Sequence, residues 1–109
     1  MKLDFVSMEE TIIPHFKDGE KEIAAKMFFD GTNRLLHGRL VPGASIGTHC
    51  HDTSSEVIYI LSGTATVLCY GQSVILTPGQ CHYCPKGSTH TMKNNGTDDL
   101  IFFAVVPQQ

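Results

Sequence analysis

The chain lacks the basic clusters that bind nucleic acids and anionic membranes. Its 109 residues contain eight Lys and Arg against eleven Asp and Glu, which gives a net charge of −3 without any run of basic residues. A nucleic-acid or anionic-lipid surface is therefore not expected. Charged residues are scarce at 17%, whereas hydrophobic residues make up 41%. That is enough apolar side chain to bury a core, and it argues against a disordered chain.

Long apolar runs are also absent, and we expect no secretory leader. No apolar stretch approaches the ~20 residues of a membrane-spanning helix. The first ten residues, MKLDFVSMEE, carry acidic side chains where a signal peptide has its apolar centre. We therefore expect no membrane contact and a cytoplasmic location, in which the four cysteines stay reduced. The length allows a single domain, since domains commonly take ~100–200 residues.

Helical periodicity is scarce, and short strands separated by turns dominate. The one helical candidate is better interpreted as a strand, Glu22–Asp30, with a helix as the alternative. Its Met27-Phe28-Phe29 run favours β structure. The other predicted strands are Arg34–Val41, Glu56–Leu61, Thr64–Tyr70, Ser73–Thr77, Cys81–Cys84, Ser88–Lys93 and Leu100–Val106. About eight short strands at close spacing predict an all-β sandwich or barrel.

Three histidines and one glutamate form the densest polar feature of the sequence. Alternate side chains of an extended segment share a face, so His49 and His51 can point into one cavity. The turn Asp52–Ser55 can return the carboxylate of Glu56 to that cavity, and His90 lies on another predicted strand. Imidazole and carboxylate ligands together suit first-row divalent ions. The pattern therefore predicts a metal site.

Glycines and prolines stand at fixed distances from these four residues, and the whole array resembles the cupin superfamily. Gly43–Gly63 reads GASIGTHCHDTSSEVIYILSG and Gly79–Asn94 reads GQCHYCPKGSTHTMKN, which together match every fixed position of the two cupin motifs. The resemblance implies an all-β fold, a double-stranded β-helix or jelly-roll barrel. In this arrangement residues 31–109 form the barrel and residues 1–30 an N-terminal arm with edge strands.

The resemblance also implies a cofactor and an assembly state. One divalent metal ion per chain is expected at the barrel mouth, held by His49, His51, Glu56 and His90. Mn, Fe, Ni, Zn, Co and Cu all occur in the superfamily, and the sequence gives no means of choosing among them. Short members with a single barrel are commonly homodimers, so we expect a homodimer here.

Several apolar side chains are candidates for the wall of a substrate pocket. Counting by twos from Glu56 places Ile58 and Ile60 inside the barrel, and counting from His90 adds Met92. The same alternation is typical of a plain core. These three residues are therefore predicted to face inwards, with their role in a pocket left open.

Four polar or aromatic side chains have an undecided orientation. His37 and Arg39 share one face of their strand. If that face points inwards they would pair a substrate anion, and the slightly preferred alternative is a solvated outer face. Of His82 and Tyr83, which are adjacent, one must face inwards and the other outwards. All four are retained as pocket candidates.

The cysteines invite a redox interpretation that the predicted strands disfavour. Cys81 and Cys84 have C-x-x-C spacing, but residues i and i+3 of a strand face opposite ways, so no disulfide is expected there. Cys50 lies between two metal ligands and should point away from the ion. Cys69 is interpreted as a core residue.

The predicted ligand set favours a small anionic or carbonyl-bearing ligand. A divalent ion with three neutral imidazoles and one carboxylate carries a formal charge of +1 and can polarise a carbonyl as a Lewis acid. We therefore expect a metal-dependent enzyme of the dioxygenase, isomerase or lyase type acting on an oxygen-rich metabolite. The alternative is a metal-dependent binding or sensory module without turnover. A purely structural barrel need not retain all four ligands.

Two departures from family patterns narrow these options. Oxalate-cleaving cupins carry an arginine near the metal histidines, and Ser45–Thr48 offers none, which argues against oxalate chemistry. Cupin thiol dioxygenases generally lack the glutamate ligand, whereas Glu56 is present.

The N-terminal arm is the expected means of assembly. Met1–Phe29 is long for the needs of one barrel, and Val57, Tyr59 and Leu61 share an apolar outer face. The arm could cover an edge of its own sheet or add a strand to a neighbour's sheet. We favour the neighbour, because a two-fold dimer would bury both the edge and this face.

Overall fold

The computed structural model describes residues 1–109 as ten strands and one short turn of 3-10 helix, Phe16–Asp18. The strands are β1 (Thr11–Pro14), β2 (Glu22–Phe29), β3 (Asn33–Leu40), β4 (Ser45–Cys50), β5 (Glu56–Ser62), β6 (Ala65–Cys69), β7 (Gln72–Leu76), β8 (Cys81–Cys84), β9 (Thr89–Lys93) and β10 (Leu100–Pro107). They form an antiparallel sheet in the order β1-β2-β3-β10-β5-β8, facing a second in the order β4-β9-β6-β7. This arrangement confirms the predicted jelly-roll fold.

All eight predicted strands are present, each within one residue of its predicted ends. The segment that begins at Glu22 is a strand, so the helical alternative is wrong. Two strands were not predicted, β1 and β4. Both have weak sequence signals, because Pro14 ends the first and Gly47 interrupts the second, and these residue types are depleted in strands.

The core lies between the two sheets and is built from alternate residues of each strand. On β3, Leu36 and Leu40 are buried, and Gly38 between them leaves room for a ring from β10. A Cβ at Gly38 would lie 2.3 Å from the ring of Phe102, which is fully buried. Burying a Leu, Ile or Phe side chain contributes ~1.5–3 kcal/mol. This packing determines which face of β3 turns inwards.

The N-terminal arm lies on its own barrel. Strand β1 pairs antiparallel with β2 of the same chain, and the ring of Phe5 packs edge-on against Phe103 with centroids 5.2 Å apart. Glu10 accepts a hydrogen bond of 2.8 Å from Arg39. Within the chain the arm thus covers an edge of its own sheet, and β1 is in turn the edge strand of that sheet. Pairing with a neighbour's sheet stays a prediction. No helix has the length and apolar character needed to cross a membrane.

Candidate metal centre

The four predicted ligands come from three strands that meet at one end of the barrel. His49 lies on β4 directly opposite His90 on β9, and His51 follows β4 by one residue. Glu56 begins β5 after the intervening turn. Because alternate residues of an extended segment share a face, the imidazoles of His49 and His51 both point towards His90. The structure thus brings together residues up to 41 positions apart.

The donor atoms have the spacing of an octahedral site. Five of the six donor pairs are 2.9–3.2 Å apart, through the Nε2 atoms of the three histidines and Oε1 of Glu56. The sixth pair, His49 and Glu56, is separated by more than 4.0 Å and less than 4.8 Å. With metal–donor bonds of ~2.1 Å, adjacent octahedral donors are ~3.0 Å apart, opposite donors ~4.2 Å, and tetrahedral donors ~3.4 Å.

The residues therefore fit a divalent ion in an octahedral site. Nε2 of His49, His51 and His90 and Oε1 of Glu56 would hold the ion, with the widely separated His49 and Glu56 on opposite sides, and two adjacent positions would remain for other ligands. Without an ion, His51 and His90 both direct an Nε2–H group at the same carboxylate oxygen, although these nitrogens are only 3.0 Å apart. A divalent cation would instead be held by the lone pairs of these nitrogen and oxygen atoms.

Each of the three candidate imidazoles is held by its second nitrogen. Nδ1 of His49 donates to the carbonyl of Gly47 at 2.7 Å, and Nδ1 of His51 lies 3.0 Å from the hydroxyl of Ser54. Nδ1 of His90 lies 3.1 Å from Nε2 of His82. Partners of this kind fix the ring orientation and leave Nε2 for the metal.

Burial and hydrogen bonding set the charge of the site. Burial by itself would raise the pKa of Glu56, but hydrogen bonds from His51 and His90 outweigh it and lower that pKa from 4.5 to about 2. Burial lowers the pKa of His49 below its ordinary 6.5. The carboxylate is thus ionised and the His49 imidazole neutral near pH 7, which are the protonation states that metal ligation needs.

A pocket of about 460 Å³ opens next to the four ligands. Its wall is largely apolar, with Leu36, Ile58, Met92 and Phe102 among the lining residues. Such a wall excludes water from a bound ligand and strengthens the electrostatic interactions inside.

Two cations that the sequence interpretation missed also line the pocket, Lys17 and Arg34. Arg34 lies on the inward-facing register of β3, and its guanidinium stacks on the ring of Phe29 at 4.8 Å. The acidic lining residues are Glu56 and Asp52. With a divalent ion on the four ligands, the pocket is therefore net positive.

The loop that carries Lys17 is strained and closely packed. His15, Lys17, Asp18 and Lys21 all have positive φ angles between 49° and 62°, a conformation that costs L-residues ~1–2 kcal/mol each. The loop rests on β4, where a Cβ at Gly47 would lie 1.8 Å from the Lys17 carbonyl oxygen. Strain of this kind concentrates at functional sites. No single-residue signal in the sequence could have revealed it.

The predicted pocket residues divide between the inside and the outside of the barrel. Ile58 and Met92 are buried and line the pocket, as the alternation predicted. Ile60 is also fully buried, but it lies deeper in the core and is not a lining residue. Its assignment to the pocket is corrected, because the alternation of a strand cannot distinguish the cavity wall from the core beneath it.

The polar candidates lie outside the pocket, in agreement with the preferred outer face for His37 and Arg39 and with the opposite orientations predicted for His82 and Tyr83. His37 and Arg39 lie on the outer face of β3, where Arg39 pairs with Glu10, so neither lines the pocket. Tyr83 is 57% exposed and points outwards, whereas His82 is buried behind His90. His82 therefore contacts a metal ligand but not the pocket. The four cysteines are free, as expected.

The chain was compared with known families and curated proteins. The model of the cupin domain family matches residues 36–106. An oxalate-binding protein of Thermotoga maritima is 35% identical over 68 residues, which cover 62% of this chain and 56% of that protein. The alginate biosynthesis protein AlgA of Pseudomonas putida is 35% identical over 75 residues, 69% of this chain and 16% of that protein. The chain thus spans about half or less of the length of these relatives.

Two solved structures match the full length of this chain in fold. A crystal structure described as a predicted oxalate decarboxylase from Thermotoga maritima superposes with a TM-score of 0.94 at 25% identity, covering all of both chains. KdgF from Halomonas sp. superposes with a TM-score of 0.79 at 17% identity, over 100% of this chain and 96% of that chain. The second likeness shows the fold alone.

Proposed function

The chain belongs to the cupin domain family, and from that premise we propose that it is a metal-dependent enzyme acting on a small chelating carboxylate of the oxalate type. The observation that carries the proposal is the donor geometry, in which two adjacent octahedral positions are left beside a net positive pocket. A carboxylate with a second oxygen donor on the neighbouring carbon can occupy two adjacent positions. The pocket residues would then contact its outer oxygens.

When bound, the divalent ion would supply Lewis acidity to the ligand's oxygens. Arg34 and Lys17 would bind and orient the carboxylate through charge-assisted hydrogen bonds. The low pKa of Glu56, about 2, keeps this carboxylate ionised, so it serves as a ligand and not as a proton donor at neutral pH. Leu36, Met92 and their apolar neighbours would exclude water from the reacting group.

The sequence disfavoured oxalate chemistry on the basis of one segment only. This inference rested on the absence of arginine from Ser45–Thr48. The structure has Arg34 in the pocket wall, from a different strand. The name of the relative from Thermotoga maritima, an oxalate-binding protein, favours the same ligand class.

The second candidate is binding of the same carboxylate without turnover, and the composition of the pocket favours it. Besides the four ligands, only Lys17, Cys50 and Asp52 among the lining residues could transfer a proton, so general acid–base catalysis has few candidates here. The two functions share a ligand and differ in whether product forms.

Titration calorimetry of oxalate into the Mn²⁺-loaded chain tests ligand binding. We expect Arg34→Met to weaken binding about tenfold, because a charged hydrogen bond contributes ~1.5 kcal/mol or more. Arg39→Met is the matched control, since Arg39 lies on the same strand but on its outer face. Equal affinities for both variants would contradict the proposed pocket. Product analysis of the same mixtures then distinguishes an enzyme from a binding module.

A further inference from the structure

A second group of metal-binding side chains lies behind the first. Cys69, His82 and Cys84 each offer a ligand atom, and these atoms are all within 4.8 Å of one another. His82 and Cys84 are alternate residues of β8 and share its inner face. Cys69 ends β6 opposite His90, and Cys84 pairs with Glu56. Two metal ligands of the first site thus have a cysteine as their cross-strand neighbour.

We propose that Cys69, His82 and Cys84 form a second, sulfur-bearing metal site that takes a soft or borderline d¹⁰ cation such as Cu⁺ or Zn²⁺. Thiolate ligands select these ions over Mn²⁺ and Mg²⁺. Two thiolates and one imidazole balance the charge of Zn²⁺, which suits a site where Cys84 is fully buried and His82 is 9% exposed. Cys69 provides the route of access, because it lines a surface depression of about 290 Å³.

The site requires the release of thiol protons. Burial, followed by the effect of Cys69, raises the pKa of the Cys84 thiol to about 12, so this side chain is neutral in the metal-free chain. A bound cation of this class deprotonates a coordinating thiol outright. The buried thiol is correspondingly unreactive towards oxidants, which favours metal binding over disulfide formation as the use of this cysteine pair.

His82 and His90 bring the two sites into contact. Nε2 of His82 lies 3.1 Å from Nδ1 of His90, so a ligand of the second site touches a ligand of the first. Cations held on both imidazoles would lie close together and repel each other in a buried environment. We therefore expect the two ions to compete.

Anaerobic titration of the reduced, metal-free full-length chain with Cu⁺ tests the proposal. We expect ultraviolet thiolate-to-copper absorption that saturates at one ion per chain and is lost in both Cys69→Ser and Cys84→Ser. Cys81→Ser is the matched control, because Cys81 is an exposed residue of the same strand, and it should keep the absorption. Undiminished absorption in Cys69→Ser, or none in the wild type, would overturn the site. Cys69 is only half buried, so this variant carries the test if Cys84→Ser fails to fold.

Two measurements with Mn²⁺ test whether the ions compete and whether the sulfur site binds Cu⁺ without the first site. Free Mn²⁺, followed by electron paramagnetic resonance, should be released by Cu⁺ from the wild type and retained by Cys69→Ser. No release from the wild type would contradict the competition. His51→Ala should lose Mn²⁺ binding and keep the copper–thiolate absorption. Failure of the sulfur site would leave Mn²⁺ and oxalate binding intact, so it is distinguishable from failure of the proposed function.

Discussion

Replacing the carboxylate ligand should change the pH dependence of stability in a defined way. Glu56 has a pKa of about 2 in the folded, metal-free chain against an ordinary value of 4.5. Each pKa unit corresponds to ~1.36 kcal/mol, so ionised Glu56 stabilises the fold by roughly 3 kcal/mol. Because the folded pKa is the lower one, this contribution is fully present above pH 4.5 and is lost as the pH falls towards 2.

Urea denaturation of the metal-free chain at several pH values measures this contribution. Glu56→Gln should lower the free energy of unfolding by up to roughly 3 kcal/mol at pH 7, with less lost if the amide oxygen still accepts one hydrogen bond. The difference from wild type should shrink between pH 4.5 and 2. Glu20→Gln is the control, since Glu20 is exposed. A Glu56→Gln deficit that stays constant across this range would refute the assignment of the low pKa to Glu56.

Three further expectations concern the metal, the loop and assembly. The wild type should carry one divalent ion and gain ~2.7 kcal/mol of stability at a hundredfold excess over Kd. Its metal affinity should fall in acid, where imidazoles are protonated. His51→Ala should abolish both effects, and full metal occupancy of this variant would contradict the site. Lys17→Met should weaken oxalate binding, measured by calorimetry, and leave Mn²⁺ binding unchanged; an unaltered oxalate affinity would contradict a role for the loop in the pocket. Light scattering should give twice the 12.0 kDa chain mass and Tyr59→Lys should give the chain mass, whereas a wild-type monomer would contradict the homodimer.

Local sequence determined the strands and the four candidate metal ligands of this protein. Alternating hydrophobicity and turn residues act over a few positions, so each of the eight predicted strands ends within one residue of its prediction. His49 and His51 share a face because a strand has a period of two. The positions of Gly and Pro residues then matched the cupin motifs, and this resemblance predicted Glu56 and His90 as the other two metal ligands.

The tertiary structure decided which faces of the strands meet. The two-residue period of a strand defines two faces but does not tell which of them turns inwards. It therefore could not show that Arg34, and not His37 or Arg39, lies on the inward face of β3. The packing of Phe102 over Gly38 makes that choice. The sulfur atoms of Cys69 and Cys84 approach each other across two sheets for the same reason. Contacts between distant strands depend on register and packing, which no local pattern contains.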